Sequence, residues 1–215
     1  MVLAQNFIKN TCFEIAPVLC SLINDIWDSG VFPDMCRDSN TVRVHKSGSK
    51  DDPSNFRGIS LINVMYKIFS NIVKKRLCNW AELNGNIDEA QAGFHAGYST
   101  VDYMFSLHKV WYKKYISKPG GRFHVLYVDF QTAFDSLLHM NMFNSMKNIG
   151  VCGKVLRILV SMYSSIRSYV RINDKVTQPC NCNVGTRQGD VSSTILFSLF
   201  INDICTFFMT EGSQG

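Results

Sequence analysis

A membrane-spanning segment is the first thing this sequence lacks. Its longest predominantly apolar stretch, Ile195 to Ile201, is far too short to cross a bilayer. No charged-then-apolar leader opens the chain, and Glu14 interrupts the first apolar run. Zinc-knuckle spacing is missing as well. Cysteines stand at 12, 20, 36, 78, 152, 180, 182 and 205, and the nearest pair is separated by a single residue. Eight cysteines in 215 residues are too sparse for a disulfide scaffold and read as free thiols in a reducing compartment. No internal repeat and no low-complexity linker appears. These absences lead us to expect a nuclear or cytoplasmic chain with no membrane partner.

What is present is core material. The chain is 46% hydrophobic, 12% aromatic and 18% charged, a globular balance that excludes collagen-like and disordered classes. The net charge of +5 is unevenly placed: residues 41–76 carry eight basic side chains against two acidic ones. Arg43, Lys46, Lys50, Arg57, Lys67, Lys74, Lys75 and Arg76 suit either a phosphate-bearing partner or a solvated helix face.

Apolar spacing near 3.6 predicts helices over 11–29, 63–83, 137–149, 153–165 and 192–208. A further helix runs from an N-cap at Ser99 to about Lys118. Thr41–His45 and Phe56–Leu61 read as a hairpin around a Lys- and Asp-rich loop, and Arg167–Ile172 with Val176–Asn183 as a second around Asn173-Asp174. His124 to Val128 has the pattern of a strand covered on both faces. The expected class is α/β of the α+β type, an antiparallel-rich sheet packed with helices.

Three segments carry chemistry. Asp129 closes the apolar run Val125-Leu126-Tyr127-Val128, where a carboxylate either takes a divalent cation or caps the turn that follows. Asn183-Val184-Gly185-Thr186-Arg187-Gln188-Gly189-Asp190 sets an Arg-Gln pair between glycines, as suits close approach to a flat ligand or an ordinary loop into a helix. In Pro53 to Leu61, Arg57 suits a triphosphate clamp or a partner for Asp51 or Asp52.

Taken in order, Asn-Phe-Arg-Gly-Ile-Ser-Leu (55–61), Gln-Ala-Gly-Phe-His-Ala-Gly-Tyr-Ser-Thr (91–100), the Asp129–Asp135 block, Gly-Thr-Arg-Gln-Gly-Asp (185–190) and Leu-Phe-Ser-Leu-Phe-Ile-Asn-Asp-Ile (196–204) resemble the reverse transcriptase domain of non-LTR, LINE-type retrotransposons. The resemblance covers about residues 20 to 204. It implies a right-hand polymerase with a fingers-like region over 1–122, a partial palm over 123–215 and no thumb. By this likeness Asp129 is the first catalytic carboxylate, binding two Mg²⁺ ions, with the Phe130 carbonyl helping to ligate the second. Phe134 matches the aromatic gate that rejects a ribose 2′-hydroxyl. Arg57, with Lys46 as the weaker candidate, matches the residues that hold the incoming triphosphate. Gln188 and Gly189 match the loop packed against the nucleotide and template base, and Asp135 is structural. The implied partners are an RNA template, a DNA primer and dNTPs, with no obligate protein partner.

The family's next motif, an aromatic residue followed by any residue and Asp-Asp, does not occur in the sequence. Val191 to Thr194 stand where Pro-Leu-Ser-Pro is usual, Thr132 where Lys is usual and His95 where Arg is frequent. The expectation is therefore a truncated fragment of an RNA-directed DNA polymerase, or a catalytically dead remnant that still binds nucleic acid. Whether the chain is itself an enzyme stays open on this reading.

Overall fold

A computed structural model describes residues 11–89, 91–95, 97–115, 124–173, 175–204 and 207. The first helix, α1 (Cys12–Ser29), stops at Gly30, whose φ of 72° lets its N–H reach the Ile26 carbonyl at 3.0 Å. After a short 3₁₀ turn, β1 (Ser39–His45) and β2 (Phe56–Ile62) form the expected hairpin, paired antiparallel from Ser39↔Ile62 to His45↔Phe56. Asp52 begins a second 3₁₀ turn, in the loop between these strands, by accepting the Ser54 N–H.

Next comes α2 (Val64–Leu83), capped by the Asn63 side chain, which accepts the Met65 N–H at 2.8 Å. Ser99 was expected to cap α3 (Thr100–Tyr115), but the roles are reversed. Both its N–H and its hydroxyl donate to Asp102, which holds that carboxyl below the usual range. No residue of α3 is buried. Two helices, α4 (His139–Asn148) and α5 (Gly153–Tyr163), follow as the spacing predicts.

The sheet is completed by β3 (Arg167–Ile172), β4 (Lys175–Val176) and β5 (Cys180–Asn181), in the order β2-β1-β3-β4 with β5 also on β3. It is less antiparallel than expected. β1 and β3 run parallel, Ser39 beside Ser168 and Val42 beside Arg171, which local patterning does not reveal. α6 (Ser193–Phe200) ends earlier than the predicted 208, where Asn202 turns its side-chain oxygen to the Asp88 N–H. The predicted strand at 124–128 is absent. Residues 124–130 are irregular and exposed, and no strand pairs with them among the described residues. An apolar run becomes a strand only when a neighbour satisfies its N–H and C=O groups.

The core lies between α2, α4, α5 and α6, where Tyr66, Phe69, Val73, Met142, Met146, Ile158, Leu159, Met162, Leu196 and Leu199 are buried. Phe32 plugs its edge, 5.2 Å from Tyr66 and 5.4 Å from Phe69 between ring centres. Arg37, also buried, ties the approach to β1 onto the end of α5: it donates to the Phe32 carbonyl, the Ser164 carbonyl (3.2 Å) and Ser161 Oγ (3.3 Å). Among the described residues no helix is long and apolar enough to cross a membrane.

Arg37→Ala leaves those acceptors without their donor. Unfolding in urea should show a loss of about 3 kcal/mol. A loss under roughly 0.5 kcal/mol would mean that water replaces the guanidinium.

Candidate active site

Among the described residues no strand pairs with the outer edge of β2; the loop 184–190 is sewn along it. Ser60 N–H donates to the Gln188 carbonyl at 2.8 Å. On its other side the loop joins the 132–138 turn. Val184 bridges Leu138, Gly185 N–H reaches the Leu137 carbonyl and Thr186 N–H the Phe134 carbonyl, both at 2.8 Å. Two glycines make this possible. At Gly185 (φ 83°) a Cβ would lie 2.7 Å from the Asp135 carbonyl oxygen, and at Gly189 (φ 123°) 2.6 Å from that of Ser60.

The loop is anchored from beneath by Asp190, 4% exposed. Its carboxylate accepts Ser70 Oγ, Tyr66 Oη (3.3 Å), Tyr163 Oη (3.4 Å), and both the hydroxyl and N–H of Ser192 (3.0 Å each). Burial, and then the negative charge of Asp190, push both phenols above their ordinary pKa, so they remain donors. Arg187, read from sequence as a ligand contact or part of an ordinary loop, is buried and turns inward, though it still borders the cavity that opens above. Its guanidinium lies 3.9 Å over the Tyr66 ring and donates to the Arg37 carbonyl at 2.8 Å.

Above this anchor opens a cavity of about 400 Å³, walled by Arg57 and Ile59 of β2, Phe134, Phe94, Thr186, Gln188 and the first residues of α6. Its size suits a nucleotide-class ligand. Arg57 forms no ion pair among the described residues, and Asp52, offered as its alternative partner, is engaged with Ser54. Phe134 sits on a turn opened by Thr132 (φ 52°), whose carbonyl accepts both Asp135 and Ser136 N–H at 2.9 Å.

Arg57, Phe134 and Gln188, 131 positions apart in sequence at their extremes, thus share one cavity. The family profile described as reverse transcriptase (RNA-dependent DNA polymerase) matches residues 44–211. The chain belongs to the reverse transcriptase family. It is 25% identical over 187 residues to a probable RNA-directed DNA polymerase from transposon BS of Drosophila melanogaster, covering 86% of this chain and 20% of that protein. The same organism's X-element polymerase is 27% identical over 162 residues, 75% of this chain and 18% of its own length. A Pol polyprotein from the type-1 retrotransposable element R2 of Popillia japonica is 24% identical over 180 residues, 81% of this chain and 24% of its own. The chain thus spans about a fifth of the length of the curated relatives it matches. The non-LTR resemblance read from the motifs agrees with these relatives.

Other motif residues of the reverse transcriptase chain lie outside the cavity. Lys46 is exposed just past β1, where its N–H closes the hairpin on the Asn55 carbonyl. Gly189 packs its backbone against Ser60, and the exposed Asp135 supplies the carbonyl that Gly185 approaches. Asp129 and Phe130 lie on the open 124–130 run. Reverse transcriptases work with divalent metal ions, but the described residues contain no cluster of three or more His, Cys, Asp or Glu side chains. One exposed carboxylate with a carbonyl neighbour does not fit an octahedral Mg²⁺ shell, let alone a pair.

Sequence reasoning missed Tyr66, Arg187 and Asp190 as the anchor and Phe94 as a wall. One signal was available: Asp190-Val191-Ser192 is a spacing that lets a carboxylate accept the N–H two residues on.

Gly185→Ala or Gly189→Ala should lower thermal stability by about 2 kcal/mol or more, since each forces a Cβ onto backbone at positive φ. An unchanged Tm for both would mean that the loop does not dock as described.

Proposed function

We propose that this chain is the nucleotide-holding part of an RNA-directed DNA polymerase of a non-LTR retrotransposon, with residues 1–122 as fingers and 123–215 as partial palm. The observation that carries this reading is the shared cavity of Arg57, Phe134 and Gln188. Arg57 offers a planar cation for the triphosphate of a dNTP. Phe134 presents a ring to the sugar, so that a 2′-hydroxyl would collide with it. Gln188, on a loop held along β2, faces the base side. The basic hairpin carrying Arg43, Lys46 and Lys50 draws the RNA template and DNA primer, so their binding weakens as salt rises. Asp129, on this reading, joins the metal-binding set of a complete two-Mg²⁺ centre. The work described belongs in the nucleus or cytoplasm.

A second reading, a nucleic-acid-binding remnant without chemistry, draws on one observation: Asp129 stands exposed and outside the cavity.

Calorimetric titration with dATP tests the cavity. Arg57→Ala should weaken binding about 10- to 100-fold, the range for a lost charged hydrogen bond, whereas Lys46→Ala should change it less than about threefold. Equal affinities for wild type and Arg57→Ala would remove the cavity from nucleotide binding. Primer extension on an RNA template separates the two readings. Extension by the wild type but not by Asp129→Ala supports the polymerase, and intact dATP and RNA binding without extension supports the remnant.

A further inference from the structure

Phe94 is oddly built for a surface residue. It is 64% exposed, yet its backbone is left-handed, at φ 62°. It is the third residue of a turn closed by His95 N–H on the Ala92 carbonyl at 3.1 Å. Turns with positive φ at that position favour glycine. Here the glycine, Gly93, stands one place earlier, where its φ is not positive. An exposed aromatic ring held in a conformation that L side chains rarely adopt calls for a reason outside local stability.

Its surroundings supply one. Phe94 lines the 400 Å³ cavity and also a larger neighbouring groove of about 810 Å³, which Tyr98, Tyr103, Met104 and Phe197 border. Phe134 lines only the first. The Phe134 ring is braced by Phe197, 4.6 Å away between ring centres, and by Phe94, edge-on at 6.2 Å. Phe94 is thus part of the partition between Phe134 and open space. Without it, the Phe134 side chain gains room to swing into the groove, because a half-buried ring keeps one rotamer only where neighbours exclude the others.

We infer that Phe94 is a positioning residue for sugar selection: it holds Phe134 in place against the sugar of the bound nucleotide, and so sets the preference for deoxyribonucleotides over ribonucleotides. This rests on the reading of the cavity as a dNTP site with Phe134 as its gate.

The test is the ratio of Kd values for unlabelled ATP and dATP on the 215-residue chain, by calorimetry, in wild type, Phe134→Ala, Phe94→Ala and Phe94→Tyr. Wild type should prefer dATP. Phe94→Ala should lower that preference about tenfold, part of the roughly hundredfold by which a pocket can reject one extra hydroxyl. Phe134→Ala should do the same, and Phe94→Tyr, which keeps the ring, should retain the wild-type ratio. A purely structural role would weaken both nucleotides equally and leave the ratio unmoved, which overturns the inference. If Phe134→Ala loses the preference and Phe94→Ala keeps it, the gate stands and the positioning role falls. A wild type with no preference overturns both.

Discussion

The site depends on one buried carboxylate. Asp190 draws together a tyrosine and a serine from α2, a tyrosine from α5 and the first residues leading into α6, all through hydrogen bonds to its two oxygens. An unpaired carboxylate at that depth would be expensive, so the hydroxyls are a condition of folding rather than an embellishment. Arg187 is the electrostatic counterpart, its guanidinium over the ring of the same Tyr66 whose hydroxyl donates to Asp190. Between these two inward-turned residues the backbone has one way to run. It passes along the free edge of β2 with the Gln188 carbonyl on Ser60, which leaves the Gln188 side chain in the cavity wall. The glycines on either side follow from that path, because the loop lies too close to Asp135 and Ser60 for a Cβ.

Charge that is clustered in sequence is dispersed in space. Of the eight basic residues between 41 and 76, Arg76 lies 4.0 Å over the Trp27 ring and Arg43 lies 4.9 Å over Phe56. Their charge remains available to solvent, but their geometry is set by aromatic neighbours. Lys46 and Lys50 flank the exposed hairpin loop, and of the eight only Arg57 lines the nucleotide-sized cavity. A uniform basic patch would attract any polyanion. Here Arg57 alone of the eight stands at the cavity, beside the inward-turned Arg187, while the others spread their charge over the surface around it.

The parts that the sequence made legible are those whose stabilising partners are close in the chain. The periodicity of 63–83, the stop at Gly30 and the 41–61 hairpin rest on contacts within a few turns or across one loop, and each is found. The parallel pairing of β1 with β3 joins residues 129 positions apart, and nothing near Ser39 announces Ser168. Arg187 was illegible for a related reason. Flanking residues cannot tell whether an arginine faces a ligand or a tyrosine brought from 121 positions away. The ordered motifs named Arg57, Phe134 and Gln188 together with Lys46, Phe130 and Gly189, and the fold brings the first three of these six to one cavity, a juxtaposition that no local pattern encodes.

The open 124–130 run is governed by the same electrostatics that hold Asp190 in place. Asp190 is buried because hydroxyl donors converge on it. Asp129 has no such donors among the described residues and belongs to no cluster of three or more His, Cys, Asp or Glu side chains there. Folding Val125 to Val128 into a covered strand would draw Asp129 out of water and leave strand N–H and C=O groups without a ladder. Either would cost several kcal/mol. Solvent removes both penalties at once, at the expense of leaving Leu126 and Tyr127 about four-fifths exposed. The two regions therefore make unequal demands on this sequence. The cavity wall around Arg57, Phe134 and Gln188 closes on side chains the chain already contains, whereas Asp129, without convergent donors, is better placed in water.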